Sequence, residues 1–288
     1  MILIRKPICA LALLIVSVLH SQSQFIEIGK DSAAIYVEDF GKGKPVLFIP
    51  GWTMTTEFFS NQRDYFEDKF RYISYDPRSH GKSAKTRSGH TYKNHAIDLR
   101  GIIQKLNLKD VALVGWSSGS ATIYEYVQLY GIEGLSHLVF IDEPPKWIGD
   151  NTDEWVYGTF EGYRESLKDL ISDRKAYASS TVNWMTLKDL DSVQEHWMVN
   201  QMLMTPNDAA LSLYIDGMAS DYNEIVIGLN GKIPMLFMLR ESWYDEGQSW
   251  LSNNVPQAKG VSIESHAAFW DNTDHFNTAL ESFIANKL

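Results

Sequence analysis

Short apolar runs alternate with longer stretches of helical spacing along most of the chain. Ala33 to Asp39 alternates apolar and polar side chains and ends at the turn Gly41-Lys42-Gly43-Lys44, whereas Val46 to Ile49 is apolar throughout between Pro45 and Pro50. The first pattern predicts a strand with two unlike faces, and the second a strand covered on both. Tyr72 to Tyr75, Val111 to Val114, Leu138 to Ile141, Met235 to Leu239 and Val261 to Ile263 repeat the theme. Between them, Tyr92 to Leu106, Ser118 to Tyr130 and Asn277 to Lys287 carry apolar residues at helical spacing. Strands separated by helices predict an α/β protein, with a mostly parallel central sheet and helices on both faces.

One interval breaks the alternation. From Glu143 to Tyr222 there is no strand-like run, and the segment holds four of the nine Trp (Trp147, Trp155, Trp184, Trp197) and five of the nine Met. This predicts a helical cap over residues 143–222, lying over one end of the sheet, with core segments 24–142 and 223–288 on either side. Aromatic and Met-rich stripes serve packing first, but a lid must pack and also face something.

The first two dozen residues read differently. Arg5 and Lys6 precede an apolar run from Ile8 to Leu19, and Ser21 and Ser23 stand at positions −3 and −1 of a cut before Gln24. Residues 1–23 are therefore expected to be a signal peptide, with an uncleaved anchor as the alternative. The mature protein would be exported, periplasmic or secreted, with no stable membrane span. It would also contain no cysteine, because Cys9 alone is present and lies inside the leader. That excludes an intramolecular disulfide, a thiolate metal site and a cysteine nucleophile.

Composition narrows the field of functions. With 44% hydrophobic and 22% charged residues the 288-residue chain is globular, and 26 Lys plus Arg against 36 Asp plus Glu leave a net charge of −10. No basic cluster suited to phosphate neutralisation is found, so a nucleic-acid partner is not expected. No His-Glu-x-x-His or comparable ligand spacing occurs, so neither a metal nor a cofactor is expected.

The chemistry-bearing motif is Gly115-Trp116-Ser117-Ser118-Gly119, directly after the strand Val111 to Val114 and directly before a helical stretch. A tight strand-to-helix turn needs small flanking residues so that the central hydroxyl projects above the sheet, which marks Ser117 as a candidate nucleophile. Three further stretches occur in order: Pro50-Gly51-Trp52, Asp76-Pro77-Arg78-Ser79-His80-Gly81-Lys82-Ser83, and Ser265-His266 followed by Phe269-Trp270-Asp271 and Phe276-Asn277.

Together these motifs resemble the α/β-hydrolase family over essentially all of residues 25 to 288. The resemblance implies that the cap follows the sixth strand and that Pro50 replaces the usual histidine of the oxyanion loop. It implies an oxyanion hole formed by the backbone amides of Trp52 and Ser118, with the Trp52 and Trp116 rings flanking the nucleophile as substrate-binding surfaces. The family interval of about ten residues between the base and a helix-packing Phe selects His266, ahead of Phe276, over His275. The acid departs from the family's common pattern. Trp243 stands where most members carry Asp, which leaves Asp142, at the end of the preceding strand, as the leading candidate, with Asp245, Glu241 and Glu143 as alternatives. The implied activity is that of a serine hydrolase acting on a small-molecule carboxylic ester with an apolar acyl or aryl group, through an acyl-enzyme. The same triad could serve a lactonase, an amidase, a carbon-carbon bond hydrolase or a cofactor-free perhydrolase, and a non-catalytic binding protein is the alternative of another class. The oligomeric state is not read from the sequence.

Overall fold

The computed structural model describes residues 21–285 except residue 30 and residues 151–153. Eight strands form one sheet: β1 (Ser21–Ile28), β2 (Ala33–Gly41), β3 (Pro45–Ile49), β4 (Arg71–Tyr75), β5 (Val111–Trp116), β6 (Leu135–Ile141), β7 (Met235–Arg240) and β8 (Lys259–Ile263). Their order across the sheet is β1-β2-β4-β3-β5-β6-β7-β8. The pairings of β2 with β1 and with β4 are antiparallel, and every other pairing is parallel. The helices are α1 (Ser60–Phe66), α2 (Tyr92–Lys105), α3 (Gly119–Tyr130), α4 (Phe160–Ser172), α5 (Arg174–Met185), α6 (Ser192–Leu203), α7 (Asn207–Met218), α8 (Asn223–Ile227), α9 (Tyr244–Asn254), α10 (Ala268–Asp271) and α11 (Thr273–Ile284). The expected α/β architecture is thus observed.

Strand alternation divides the core into two layers. Leu47, Ile49, Leu113, Leu138 and Phe140 pack with Leu99, Ile102 and Tyr124 of α2 and α3 on one face. Val46, Phe48, Val114, Val139 and Ile141 pack with Phe66, Phe276 and Leu280 of α1 and α11 on the other. Because β3 to β6 are covered on both faces, they read as continuous apolar runs.

The expected leader, residues 1–23, lies outside the described residues up to residue 20, as does Cys9. Its last three residues begin β1, a strand the apolar pattern had not suggested, which runs in register from Ser21 opposite Phe40 to Ile28 opposite Ala33. Within it, Ile26 and Ile28 are buried while Phe25 and Glu27 are exposed, the period of a half-covered edge strand.

Between β6 and β7 stand α4 to α8. The starts of α5 and α6 are capped locally: Asp173 accepts from the amides of Lys175 and Ala176, and Asp191 with Gln194 forms a capping box. Ala178, Val182, Met185, Met198 and Met202 extend the second core layer, so three of the five Met in this segment serve packing, while Met204 is exposed. On the other side Gly217 lets α7 close on Trp147, since a Cβ there would stand 2.1 Å from the indole.

The connections set the site. β3 lies between β4 and β5, so the loops leaving β3 and β5 diverge, opening a crevice at the carboxyl ends of adjacent strands. Stability rests on the aromatic stack of Tyr124, Phe140 and Phe237, with centroids 4.8 Å and 4.7 Å apart in succession. Phe140→Ala is expected to cost about 3–5 kcal/mol of unfolding free energy, measured by urea denaturation; a loss below about 1 kcal/mol would show that this layer can collapse into the space.

Candidate active site

Steric demand builds the turn around Ser117. Its φ is +51°, in the left-handed region, and the glycines on either side leave no room for a side chain. A Cβ at 115 would lie 2.7 Å from the Ser120 amide nitrogen, and one at 119 would lie 2.3 Å from the Ile49 carbonyl oxygen. The Ser117 amide donates to the Ile141 carbonyl (2.8 Å), tying the turn to the end of β6.

The loop after β3 lies against this serine. A Cβ on Gly51 would approach Ser117 Cβ to 3.1 Å and Oγ to 3.6 Å. Thr53, also left-handed at φ +60°, donates its amide to His80 Nε2 (3.0 Å), while His80 Nδ1 faces the Arg78 carbonyl (3.1 Å). This arrangement calls for the tautomer protonated on Nδ1. Burial pulls His80 down to about 4, so it stays neutral and acts as a crosspiece between the two loops. Among the described residues, neither the Trp52 nor the Ser118 amide donates to a backbone carbonyl. Donors left open beside a serine can receive an oxyanion.

His266 follows β8 and is buried. Its Nδ1 lies 2.6 Å from Asp142 Oδ2, and its backbone carbonyl accepts from Trp116 Nε1 (2.8 Å). Asp142 ends β6 at φ +51° with no solvent exposure. Its Oδ1 accepts from the Arg240 amide (3.1 Å) and from Trp243 Nε1 (2.7 Å), and Arg240 Nη1 stands 3.6 Å from Oδ2. The other carboxylates lie elsewhere. Asp245 and Glu241 are exposed on the segment after β7, and Glu143 turns away to Trp147 and Tyr157. His275 is exposed on α11 and pairs with Glu264 at 3.0 Å.

Burial draws the His266 imidazole below its ordinary value; the carboxylate of Asp142 opposes that effect and Arg240 adds to it. The ring is therefore neutral at neutral pH, as a base must be. Trp184 of α5 lies over it at 4.6 Å between centroids, and Arg240 is stacked between Trp184 (4.7 Å) and Trp243 (3.7 Å). None of these contacts was anticipated from the sequence. Trp243 alone left a trace, as an aromatic where an acid was expected.

Ser117 and His266 line one cavity of about 430 Å³ with Trp52, Tyr157, Tyr163, Tyr177, Trp184 and Tyr214. No hydrogen bond joins the serine to the imidazole among the described residues, a separation common in ligand-free hydrolytic sites. Trp52 is wedged edge-on between Tyr177 and Tyr214, with Arg174 over its face at 4.8 Å. Trp116 also lines the cavity, but its ring has no solvent exposure and packs on Phe58, Phe59 and Phe269. No group of three or more His, Cys, Asp or Glu arranged to hold a metal occurs among the described residues, and no described helix is long and apolar enough to cross a membrane.

Comparison with known proteins gives a consistent picture. A family model described as "alpha/beta hydrolase fold" matches residues 44–223. A non-heme haloperoxidase of Rhodococcus erythropolis is 30% identical over 141 residues, 48% of this chain and 52% of the relative. The chain spans about half the length of this relative and of the non-heme chloroperoxidases it also matches. Among solved structures, an esterase (EaEST) from Exiguobacterium antarcticum has a TM-score of 0.83 at 23% identity, covering 92% of this chain and 100% of the other. A bromoperoxidase from Bacillus anthracis has a TM-score of 0.83 at 22% identity, with the same coverage. At these identities the structural likeness shows the fold.

The electrostatics of His266 can be checked directly. Asp142→Asn removes the charge that opposes burial, so the imidazole is expected to titrate at lower pH than in the wild type, as followed by histidine-ring NMR. An unchanged midpoint would mean that another carboxylate governs His266.

Proposed function

The chain belongs to the α/β-hydrolase fold family, and from that premise we propose that it is a serine hydrolase of carboxylic esters bearing an apolar acyl or aryl group. One observation carries the reading: the 2.6 Å contact between Asp142 and His266, at a cavity that Ser117 also lines.

In this mechanism Ser117 Oγ attacks the ester carbonyl carbon as its proton passes to His266 Nε2. Asp142 holds the Nδ1 proton and stabilises the imidazolium that forms. The amides of Trp52 and Ser118 receive the oxyanion. Collapse of the tetrahedral intermediate expels the alcohol, which takes the proton from His266, and leaves an acyl ester on Ser117. Water, deprotonated by the same imidazole, then releases the acid. The aromatic lining of the cavity favours apolar groups, since such sites combine apolar walls with a few polar anchors.

A second reading uses the same acyl-enzyme. The names of the haloperoxidase and bromoperoxidase relatives support hydrogen peroxide in place of water in the second half-reaction, giving a peracid from the same carbonyl. Export through the leader is part of the proposal, and a cut before Gln24 would keep β1 paired from Gln24 opposite Val37 to Ile28 opposite Ala33.

Turnover of p-nitrophenyl esters of graded chain length, with and without peroxide, tests the reaction. Ser117→Ala is expected to abolish it, Asp142→Asn to lower kcat by about 10⁴, and Asp245→Asn to change little. Undiminished turnover in Ser117→Ala would sink the proposal, and the reverse ranking of the two Asp variants would move the acid to α9. Intact mass of the secreted chain should place its first residue at Gln24; a chain beginning at Met1 would overturn cleavage.

A further inference from the structure

Glu143 is a buried carboxyl that the proposed mechanism leaves unused. It follows Asp142, is 1% exposed, and both of its oxygens are engaged. Oε1 accepts from Trp147 Nε1, and Oε2 lies 2.5 Å from the Tyr157 hydroxyl, which also lies 2.9 Å from the Asp142 carbonyl oxygen. Trp147 and Tyr157 both line the catalytic cavity.

Counting hydrogens decides how this cluster is arranged. With an ionised Glu143 there are two donors, the Trp147 N–H and the Tyr157 O–H, and three acceptors: the two carboxylate oxygens and the Asp142 carbonyl. One acceptor is then left without a hydrogen in a buried place. With a neutral Glu143 the carboxyl supplies a third donor and every group is matched, which a buried polar network requires.

We propose that Glu143 is a protonated positioning residue, whose carboxyl O–H donates to the Tyr157 hydroxyl while that hydroxyl donates to the Asp142 carbonyl. The relay clamps Asp142 in its left-handed turn, from which its carboxylate reaches His266, and seats the Tyr157 ring in the cavity wall. The inference rests on the catalytic roles assigned above to Asp142 and His266.

The surroundings favour the neutral form. Burial, aided by the neighbouring Asp142, pushes Glu143 up to about 8 against the opposing effects of the Tyr157 and Trp147 hydrogen bonds and of Arg240 at the end of β7. Tyr157, Tyr92 on α2, Tyr124 on α3 and Tyr163 on α4 also face it, and all four are themselves raised well above 10 by burial, so they stay neutral. His266 reaches it through Asp142 and, edge-on, through the Tyr157 ring. When Glu143 ionises, Tyr157 turns its hydrogen to the new carboxylate, the Asp142 carbonyl loses its donor, and a second negative charge stands beside the Asp142–His266 pair.

The test is the pH profile of kcat/KM for the full chain and its Glu143→Gln and Glu143→Ala variants. The wild type is expected to lose about tenfold in activity on the alkaline side, the effect of one hydrogen bond in the relay, on a limb separate from the acid limb of His266. Glu143→Gln, with an amide N–H for Tyr157 and an oxygen for Trp147, should restore most of what Glu143→Ala loses at pH 7 and show no alkaline limb. An alkaline limb that persists in Glu143→Gln, or a Gln variant no better than Ala at pH 7, would overturn the proposal.

Thermal midpoints measured without substrate supply a readout independent of turnover and of whether Glu143→Ala folds. A carboxyl raised in the folded state binds its proton there over a pH range where the unfolded chain has lost it, so stability falls as pH climbs from the ordinary carboxyl range to about 8. Glu143→Gln should lack that fall. If it keeps the fall, the protonated relay is wrong even where Ser117→Ala has confirmed hydrolysis. If it loses the fall while Ser117→Ala stays active, the relay stands and the hydrolase reading fails.

Discussion

The site hangs on a single carboxylate taken wholly out of water. Burying a charged group without partners costs several kcal/mol, and Asp142 meets that cost with donors from three directions. Arg240 offers its backbone amide from the end of β7, Trp243 its indole N–H from the turn that follows, and His266 its ring from beyond β8. Parallel register makes this convergence possible, because Ile141 pairs with Met238 and Arg240 with Ile263, so the carboxyl ends of β6, β7 and β8 stand side by side. A carboxylate at the end of β6 is accommodated because the segment after β7 offers it the Trp243 indole N–H instead of a second acid.

A layer of rings and one cation closes the site from the cap side. Arg240 is stacked between Trp243 and Trp184, and Trp184 covers His266, so α5 is joined to the imidazole through π contacts rather than hydrogen bonds. Such contacts strengthen as water is excluded. They also set opposing fields on the base: Asp142 favours its protonated form, while burial and Arg240 disfavour it. The balance leaves a neutral imidazole that can still be stabilised as an imidazolium during turnover.

What the sequence made legible was whatever sterics confine to a few residues. The turn at Ser117 depends on Gly115 and Gly119 and can be read from five letters. The strands β3 to β7 can be read because both faces are covered. The site's remaining contacts join distant positions: Trp243 and Asp142 are 101 residues apart, and His266 and Asp142 are 124 apart. No local pattern encodes such pairs, so from the residues alone Asp142, Glu143, Glu241 and Asp245 stood as rivals; of the four, Asp142 is the one hydrogen-bonded to His266 among the described residues. Trp116 shows the converse limit. Its place beside Ser117 suggested a substrate surface; it does line the cavity, but strand alternation also directs its ring into the core, where its indole N–H holds the His266 carbonyl, a contact that no local pattern announced.

Asp142 and Glu143 show how one turn of backbone gives two adjacent carboxyls opposite surroundings. The positive φ at Asp142 ends β6 and sends its side chain toward β7 and β8, where a cation and charge-stabilising donors wait. The next residue then faces the cap, where its neighbours are an indole and a phenol, neutral donors that satisfy hydrogen bonds without compensating charge. Hydrogen bonds to neutral partners offset only part of the desolvation of an anion, whereas a neutral carboxyl needs no counter-charge at all. Placing the anion-friendly pocket on the sheet side and the proton-retaining pocket on the cap side therefore separates the two roles without any difference in side-chain chemistry beyond one methylene. The strain of a left-handed, non-glycine residue is the cost of that separation, and it is tolerated because the Met238 carbonyl, the Arg240 amide and the Tyr157 hydroxyl grip Asp142 through its backbone and its side chain.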